Sequence, residues 1–260
     1  MPAYWSGASA NMKSARKTIY IPGAILFFAS VLLGLILSGW SLWAEVEASL
    51  LVFRTGDLAL SLKCPLMIVS NETGRVSAYF DNPTGEEINP TLQAVIGKES
   101  QSRTESAVLP LAPGERKQYQ WTVGPVDKVF GGLVLVNVFE TSQRNFPSHQ
   151  GSCGIPVWGW IPLRGLSGMQ VFASMFGTSL AGMMAGAALW VIGNSRLKGL
   201  VENATNASAA LAVLVFLDML LIFPGWWGLS MLFFFLSIML VVIIVTQFML
   251  FPTSADRGER

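Results

Sequence analysis

The chain has 260 residues, 52% hydrophobic and only 13% charged, whereas a soluble domain carries roughly 25% charged residues, so the surplus apolar surface has to face lipid. Its 17 basic and 16 acidic residues leave a net charge of +1, and no global basic field exists to gather nucleic acid.

In chain order, the first element is an apolar run over residues 19–43, long enough at 1.5 Å per residue to cross about 30 Å of hydrocarbon. Lys13, Arg16 and Lys17 precede it, and Val46-Glu47-Ala48 has the small residues of a cleavage site, so a secretory signal is one reading. The apolar core is longer than a signal's hydrophobic region, which favours a retained signal anchor. Residues 1–15, polar and rich in small side chains, are expected to be mobile or ordered only by a partner.

Between residues 44 and 164 the pattern changes to short β-rich runs. Leu58, Leu60 and Leu62 alternate with polar neighbours, and residues 65–69, 75–80, 91–96, 106–111, 117–123 and 132–139 read as further strands. Turns are signalled by Ser70-Asn71-Glu72-Thr73-Gly74, Asp81-Asn82-Pro83-Thr84-Gly85 and Ala112-Pro113-Gly114-Glu115. About seven strands in some 100 residues point to a β-sandwich. Cys64 and Cys153 lie at the margins of this stretch. Outside the cytoplasm they read as one disulfide, and in a reducing compartment as two free thiols. With the single His149 they fall short of a tetrahedral zinc site.

Asn82-Pro83-Thr84, then an apolar strand, then Leu111-Ala112-Pro113-Gly114-Glu115 and a strand containing Trp121, resembles bacterial Ig-like domains of the CARDB type, in which a leucine-x-proline-glycine-glutamate turn joins two sandwich strands. The resemblance covers residues 58–139 and implies a structural or adhesive module, with no catalytic site to carry over. The cysteines depart from the immunoglobulin arrangement, in which the bridge pins two central strands. Cys153 follows the last predicted strand, so a bridge is expected to fasten the segment leading to the second helix onto the sandwich.

Three more apolar runs follow, over residues 168–192, 207–223 and 229–251. The basic flanks orient the chain: Lys13, Arg16 and Lys17, then Arg196 and Lys198, then Arg257 and Arg260 all fall on one side of the spans, predicted to be cytoplasmic. The turn Pro224-Gly225-Trp226-Trp227-Gly228 is then outside, at a depth that tryptophan prefers, together with Trp40, Trp43, Trp158 and Trp160. The expected organisation is a cytoplasmic segment (1–18), transmembrane helix 1 (19–43), an extracytoplasmic β domain (44–164), helix 2 (165–192), a cytoplasmic loop (193–206), helix 3 (207–223), helix 4 (229–251) and a cytoplasmic tail (252–260). The fold class is an integral membrane bundle of four helices with an inserted extracytoplasmic Ig-like sandwich.

Asp218 is the sole acidic residue within these predicted spans. An ionisable group in hydrocarbon costs about 2.5–3.5 kcal/mol on insertion scales, so it marks either a proton, cation or partner site or a carboxyl that is protonated or reaches interfacial water near the helix end. No Lys, Arg or His lies in a span to pair with it. In the second span Ala173, Gly177 and Ala181, then Gly182 and Gly186, recur at four-residue spacing, and Ser30, Gly34 and Ser38 repeat the idea in the first. Such stripes allow close helix approach, either within this chain or to another subunit. Asn71-Glu72-Thr73 is a glycosylation sequon on the outer side, whereas those at Asn203 and Asn206 would be cytoplasmic.

The chain contains no GxSxG, HExxH, P-loop or haem-attachment motif, and His149 sits in a turn-like Phe146-Pro147-Ser148-His149 context that reads as a solvated loop. No cofactor is expected. The favoured function is a non-catalytic accessory or scaffold subunit of a larger membrane assembly, in contact with lipids and other subunits as a homo- or hetero-oligomer. A small transporter or channel component using Asp218 is the alternative. A claudin-like adhesion protein comes last: Gly39-Trp40-Ser41-Leu42-Trp43 echoes that family, but its closely spaced cysteines are missing.

Overall fold

A computed structural model describes residues 6–50, 58–97, 102–130, 132–141, 149–159, 165–193 and 200–246. It forms two compact units, Met1–Gly39 with Ser174–Arg260, and Trp40–Ala173.

The helices are α1 (Ser6–Leu50), α2 (Gly168–Gly193), α3 (Leu200–Ile222) and α4 (Trp227–Ile244). Among the described residues, Ile21–Leu50, Gly168–Gly193, Thr205–Ile222 and Trp227–Ile244 are long and apolar enough to cross a membrane, as expected of a multi-pass membrane protein. Several helix boundaries differ from the sequence reading. Helix α1 starts at Ser6 inside the segment expected to be mobile, where alanines, lysines, Met12 and Arg16 are good helix formers. It also continues past residue 43 to Leu50, because Ala44 and Ala48 are buried against Val129, Leu133 and Leu135 of the β domain. Helix α3 starts at Leu200, so part of the expected 193–206 loop is helical. Helix α4 begins at Trp227, inside the expected turn. That turn is a tight hairpin, with Gly225 at φ 76° and its N–H donating to Ile222 O at 3.1 Å. Arg196, Lys198, Trp160, Arg257, Arg260 and residues 247–251 lie outside the described residues.

The β domain contains β1 (Leu58–Ala59), β2 (Leu62–Lys63), β3 (Ile68–Val69), β4 (Gly74–Asp81), β5 (Thr91–Ile96), β6 (Arg103–Val108), β7 (Arg116–Val123), β8 (Leu133–Thr141) and β9 (His149–Trp158). One sheet runs β1-β9-β8-β5-β6, with β3 also on β9, and the other runs β2-β4-β7. Val76, Ala78, Phe80, Trp121 and Val123 from the small sheet meet Leu92, Ala94, Ile96, Val134, Val136, Val138 and Ile155 from the large one in a single buried core. Strand β8 is buried on both faces. Its even-numbered valines enter that core, while Leu133 and Leu135 meet Ala44 and Ala48 of α1, which accounts for its near-continuous apolar sequence.

The main correction concerns β9. Residues 149–158 contain Gly151, Gly154 and Pro156 and read as loop, yet they form a ten-residue strand next to β8. The glycines are required by close approach: a Cβ at Gly154 would collide with the Ala44 carbonyl, and one at Gly151 with the Leu60 carbonyl. Cys153 is therefore within the last strand and buried, not after it. It is disulfide-bonded to Cys64, with Cα atoms 6.6 Å apart, joining β9 of the large sheet to the segment that leaves β2 of the small one. Two smaller shifts accompany this. The 106–111 strand is Arg103–Val108, and the 65–69 strand is only Ile68–Val69.

Candidate functional site

In the helical unit, Asp218 of α3 is fully buried and accepts a hydrogen bond from Ser230 Oγ of α4 at 2.5 Å. The carboxyl is thus buried among the helices, where one reading had it at interfacial water; its neighbour is one of the serines of α4. Ser38 of α1 faces the same carboxylate, and its hydroxyl is the donor available to Asp218 Oδ2, although neither atom completes a hydrogen bond of normal geometry. Sequence reasoning sought a charged partner for Asp218 and found none. Ser230 was the available signal, one of two serines within α4.

The small residues of α1 and α2 face each other inside this unit. A Cβ on Gly182 would strike Ser30 Oγ, and one on Gly186 would lie 2.5 Å from the Phe27 backbone nitrogen. A Cβ on Gly34 would lie 2.9 Å from Ser179 Oγ, whose hydroxyl donates to the Ser30 carbonyl at 2.8 Å. These positions therefore serve packing between α1 and α2. Gly177 does not join them, because a Cβ there meets nothing within 4 Å. At 100° per residue it lies on the opposite side of α2 from Gly186.

In the β domain, a cleft of about 550 Å³ opens between the ends of the two sheets. Lys63, Tyr79, Asp81 and Arg116 line it from the small sheet, and Glu140 and His149 from the large one. Arg116 Nε lies 3.2 Å from Asp81 Oδ1, and the Lys63 and Arg116 cations sit 5.2 and 4.8 Å from the Tyr79 ring centroid. His149 Nδ1 is 2.7 Å from Glu140 Oε2. Burial pushes the Glu140 carboxyl above the usual glutamate range, and the neighbouring His149 pulls it back down. His149 is thus a half-buried strand residue with a carboxylate partner, not a solvated loop residue. The cleft combines paired charges and an aromatic face. Among the described residues no group of three or more His, Cys, Asp or Glu side chains is placed to hold a metal ion.

A second polar constellation ties the β domain together. Asn82 is buried, and its Nδ2 donates to the carbonyls of Glu86, Leu111 and Ala112 at 2.8, 2.9 and 3.0 Å. Its Oδ1 accepts from Thr84 N and Oγ1. Elsewhere, Glu72 Oε2 accepts from Gly168 N at 2.6 Å and Val69 N at 3.2 Å, placing a carboxylate at the N-terminus of α2, where the helix dipole favours it.

No protein-family model matches the chain, and no curated protein matches it. Solved structures do. The chain is similar to a CARDB domain from Pyrococcus furiosus crystallised in complex with di-metal ions, at 16% identity and a TM-score of 0.32, over 40% of this chain and 90% of that one. A solution structure of a CARDB domain from the same organism aligns at 15% identity and a TM-score of 0.31, covering 41% and 98%. Red sea bream transglutaminase aligns at 17% identity and a TM-score of 0.31, over 40% of this chain but only 17% of its own length.

Proposed function

We propose that the chain is a multi-pass membrane protein with both termini cytoplasmic and an extracytoplasmic Ig-like sandwich, acting as a non-catalytic accessory or scaffold subunit of a larger assembly. The observation that carries this reading is the mixed-charge cleft around Tyr79. It lies at the end of the β domain holding Glu140 and His149. At the other end of the same unit Trp40 packs on Trp158 and Gly168, where α2 begins, meets Met67. Eight strand residues at about 3.4 Å each separate the two ends along β8. The cleft holds arginine, tyrosine and carboxylates paired with basic side chains, a set that supports docking. The face of α2 carrying Gly177 offers a second contact, since the opposite face is occupied by α1.

Co-purification after mild-detergent extraction tests the proposal. Partner chains should accompany the protein and be lost on Arg116→Glu with Lys63→Glu; unchanged partners would remove the cleft from the docking surface, and extraction of a lone chain would sink the scaffold reading. An impermeant thiol reagent on intact cells should label Gln118→Cys and not Ser254→Cys.

A transport component is the second reading, favoured by the buried Asp218 carboxylate, whose Oδ2 a proton or small cation would complete. Ion flux in liposomes holding this chain alone, abolished by Asp218→Asn, would establish it at the expense of the scaffold.

A further inference from the structure

Residues 124–130 form a loop whose side chains are sorted by charge. Pro125–Asp127 is a 3₁₀ turn. Its acidic residue is turned inward: Asp127 is buried, Oδ2 accepts from Gly124 N at 2.8 Å and Oδ1 from Arg103 Nε at 2.7 Å. Arg103 is itself held by Glu105 and the Thr122 carbonyl. The residues left pointing outward are Val126, Lys128 and Phe130, with Val126 91% and Phe130 60% exposed. Phe130 adopts φ 49°, rare for a bulky side chain. The turn that imposes it is closed by Val129 and Leu133, each donating its N–H to the other's carbonyl, at 2.6 and 3.0 Å. A conformation of this cost holds a phenyl ring out into the surroundings.

The same loop is fixed against the last turns of α1. Val129 and Leu133 pack on Ala44 and Ala48 with Trp40 beside them, and Trp40 Cζ2 would lie 3.5 Å from a Cβ on Gly132. Trp40 and the exposed Trp43 are where the apolar run of α1 ends. A loop level with these residues sits at headgroup depth if α1 crosses a bilayer, the reading on which this inference rests. Two apolar side chains flanking an ammonium, with the adjacent Asp127 paired to Arg103, match that layer: apolar tips enter the acyl boundary while the lysine stays at the phosphates.

We propose that this loop is a lipid-binding element, inserting Val126 and Phe130 into the headgroup layer and engaging anionic phospholipid through Lys128. The test uses the full chain in nanodiscs of phosphatidylcholine with phosphatidylglycerol, spin-labelled in turn at Val126→Cys, Gln118→Cys and Ile36→Cys. Collision rates with oxygen and with a water-soluble nickel chelate are read at each position. The label at 126 should be shielded from nickel and open to oxygen, several-fold different from the water-exposed label at 118, and Lys128→Glu should raise its nickel accessibility. A label at 126 as wet as that at 118 while 36 remains in lipid overturns the loop proposal alone. Nickel access at 36 overturns the membrane-spanning reading and this proposal with it. Unchanged accessibility in the Lys128→Glu chain overturns the anionic-lipid contact.

Discussion

The side-chain amide of Asn82 donates to the Leu111 carbonyl at 2.9 Å across 29 residues of sequence, and this bond links the two turns on which the resemblance to CARDB-type domains rests. The Asn82-Pro83-Thr84 turn and the Leu111-to-Glu115 turn are further held by Asn82 N donating to Glu115 O and Gly114 N to Asn82 O, both at 2.9 Å. Asn82→Ala should leave buried carbonyls unpaired and cost about 1–3 kcal/mol. Asn82→Asp should cost more, since a carboxylate would face three carbonyl oxygens. Thermal unfolding of the detergent-solubilised chain checks both, and a melting temperature unchanged by Asn82→Ala would show that the two turns hold without it.

Glu115 supplies an acid-sensitive term. Its carboxylate accepts the Ala112 N–H at 2.8 Å and pairs with Lys117 at 3.1 Å, and these contacts hold it below the usual glutamate range. A folded-state value below the unfolded one means that the stabilisation is present above the ordinary value and lost as the pH falls through the depressed one. Glu115→Gln should therefore flatten the acid limb of a melting profile recorded from about pH 3 to about pH 7.

Glu140 behaves in the opposite sense. Because burial raises its folded value, its contribution is present below the ordinary glutamate value and disappears as the pH rises through the raised one. Glu140→Gln should abolish that slope. His149→Ala removes the opposing attraction and should move the slope to higher pH, as read from the same melting profiles.

Helix packing separates two glycines of α2. Gly186→Leu drives a side chain into the Phe27 backbone and should destabilise the chain by at least about 1–3 kcal/mol. Gly177→Leu points into open space and should leave folding unchanged while weakening any partner that uses that face. Thermal stability in detergent, set beside co-purification, distinguishes them.

The Cys64–Cys153 bridge closes a loop of 89 residues, which in the chain-entropy model contributes about 4–5 kcal/mol through the unfolded state. Reduction should lower the melting temperature of the β domain markedly. A Cys64→Ser chain that melts with the parent would show that this estimate fails here.

Legibility in the sequence followed local physics. Residues 91–96 alternate and are bounded by turns, and they form β5 with those limits. The apolar runs are helices for the same reason. Strand β9 was hidden because Gly151 and Gly154 carry the composition of a loop, while their role depends on Leu60 and Ala44, about 90 to 110 residues earlier. Ser230 was overlooked as the neighbour of Asp218 because no spacing links positions on two helices joined by a hairpin. The division of the small residues, with Gly186 inside and Gly177 outside, is likewise set by which side of α2 meets α1, which periodicity alone leaves open.

The pairing of β9 has a consequence for how the domain is made. This strand is the last of its unit to leave the ribosome, yet β1, β3 and β8 all bond to it. Until Trp158 has emerged, the large sheet lacks the partner that joins the first strands to the rest, and Cys64 has no thiol to meet. Assembly must wait for contacts about 90 residues apart in sequence, a topology that folds slowly. A chain paused or truncated before His149 would thus expose the valines of β8 with one edge unpaired, and the step that completes the sheet is also the one that brings α2 to its starting place.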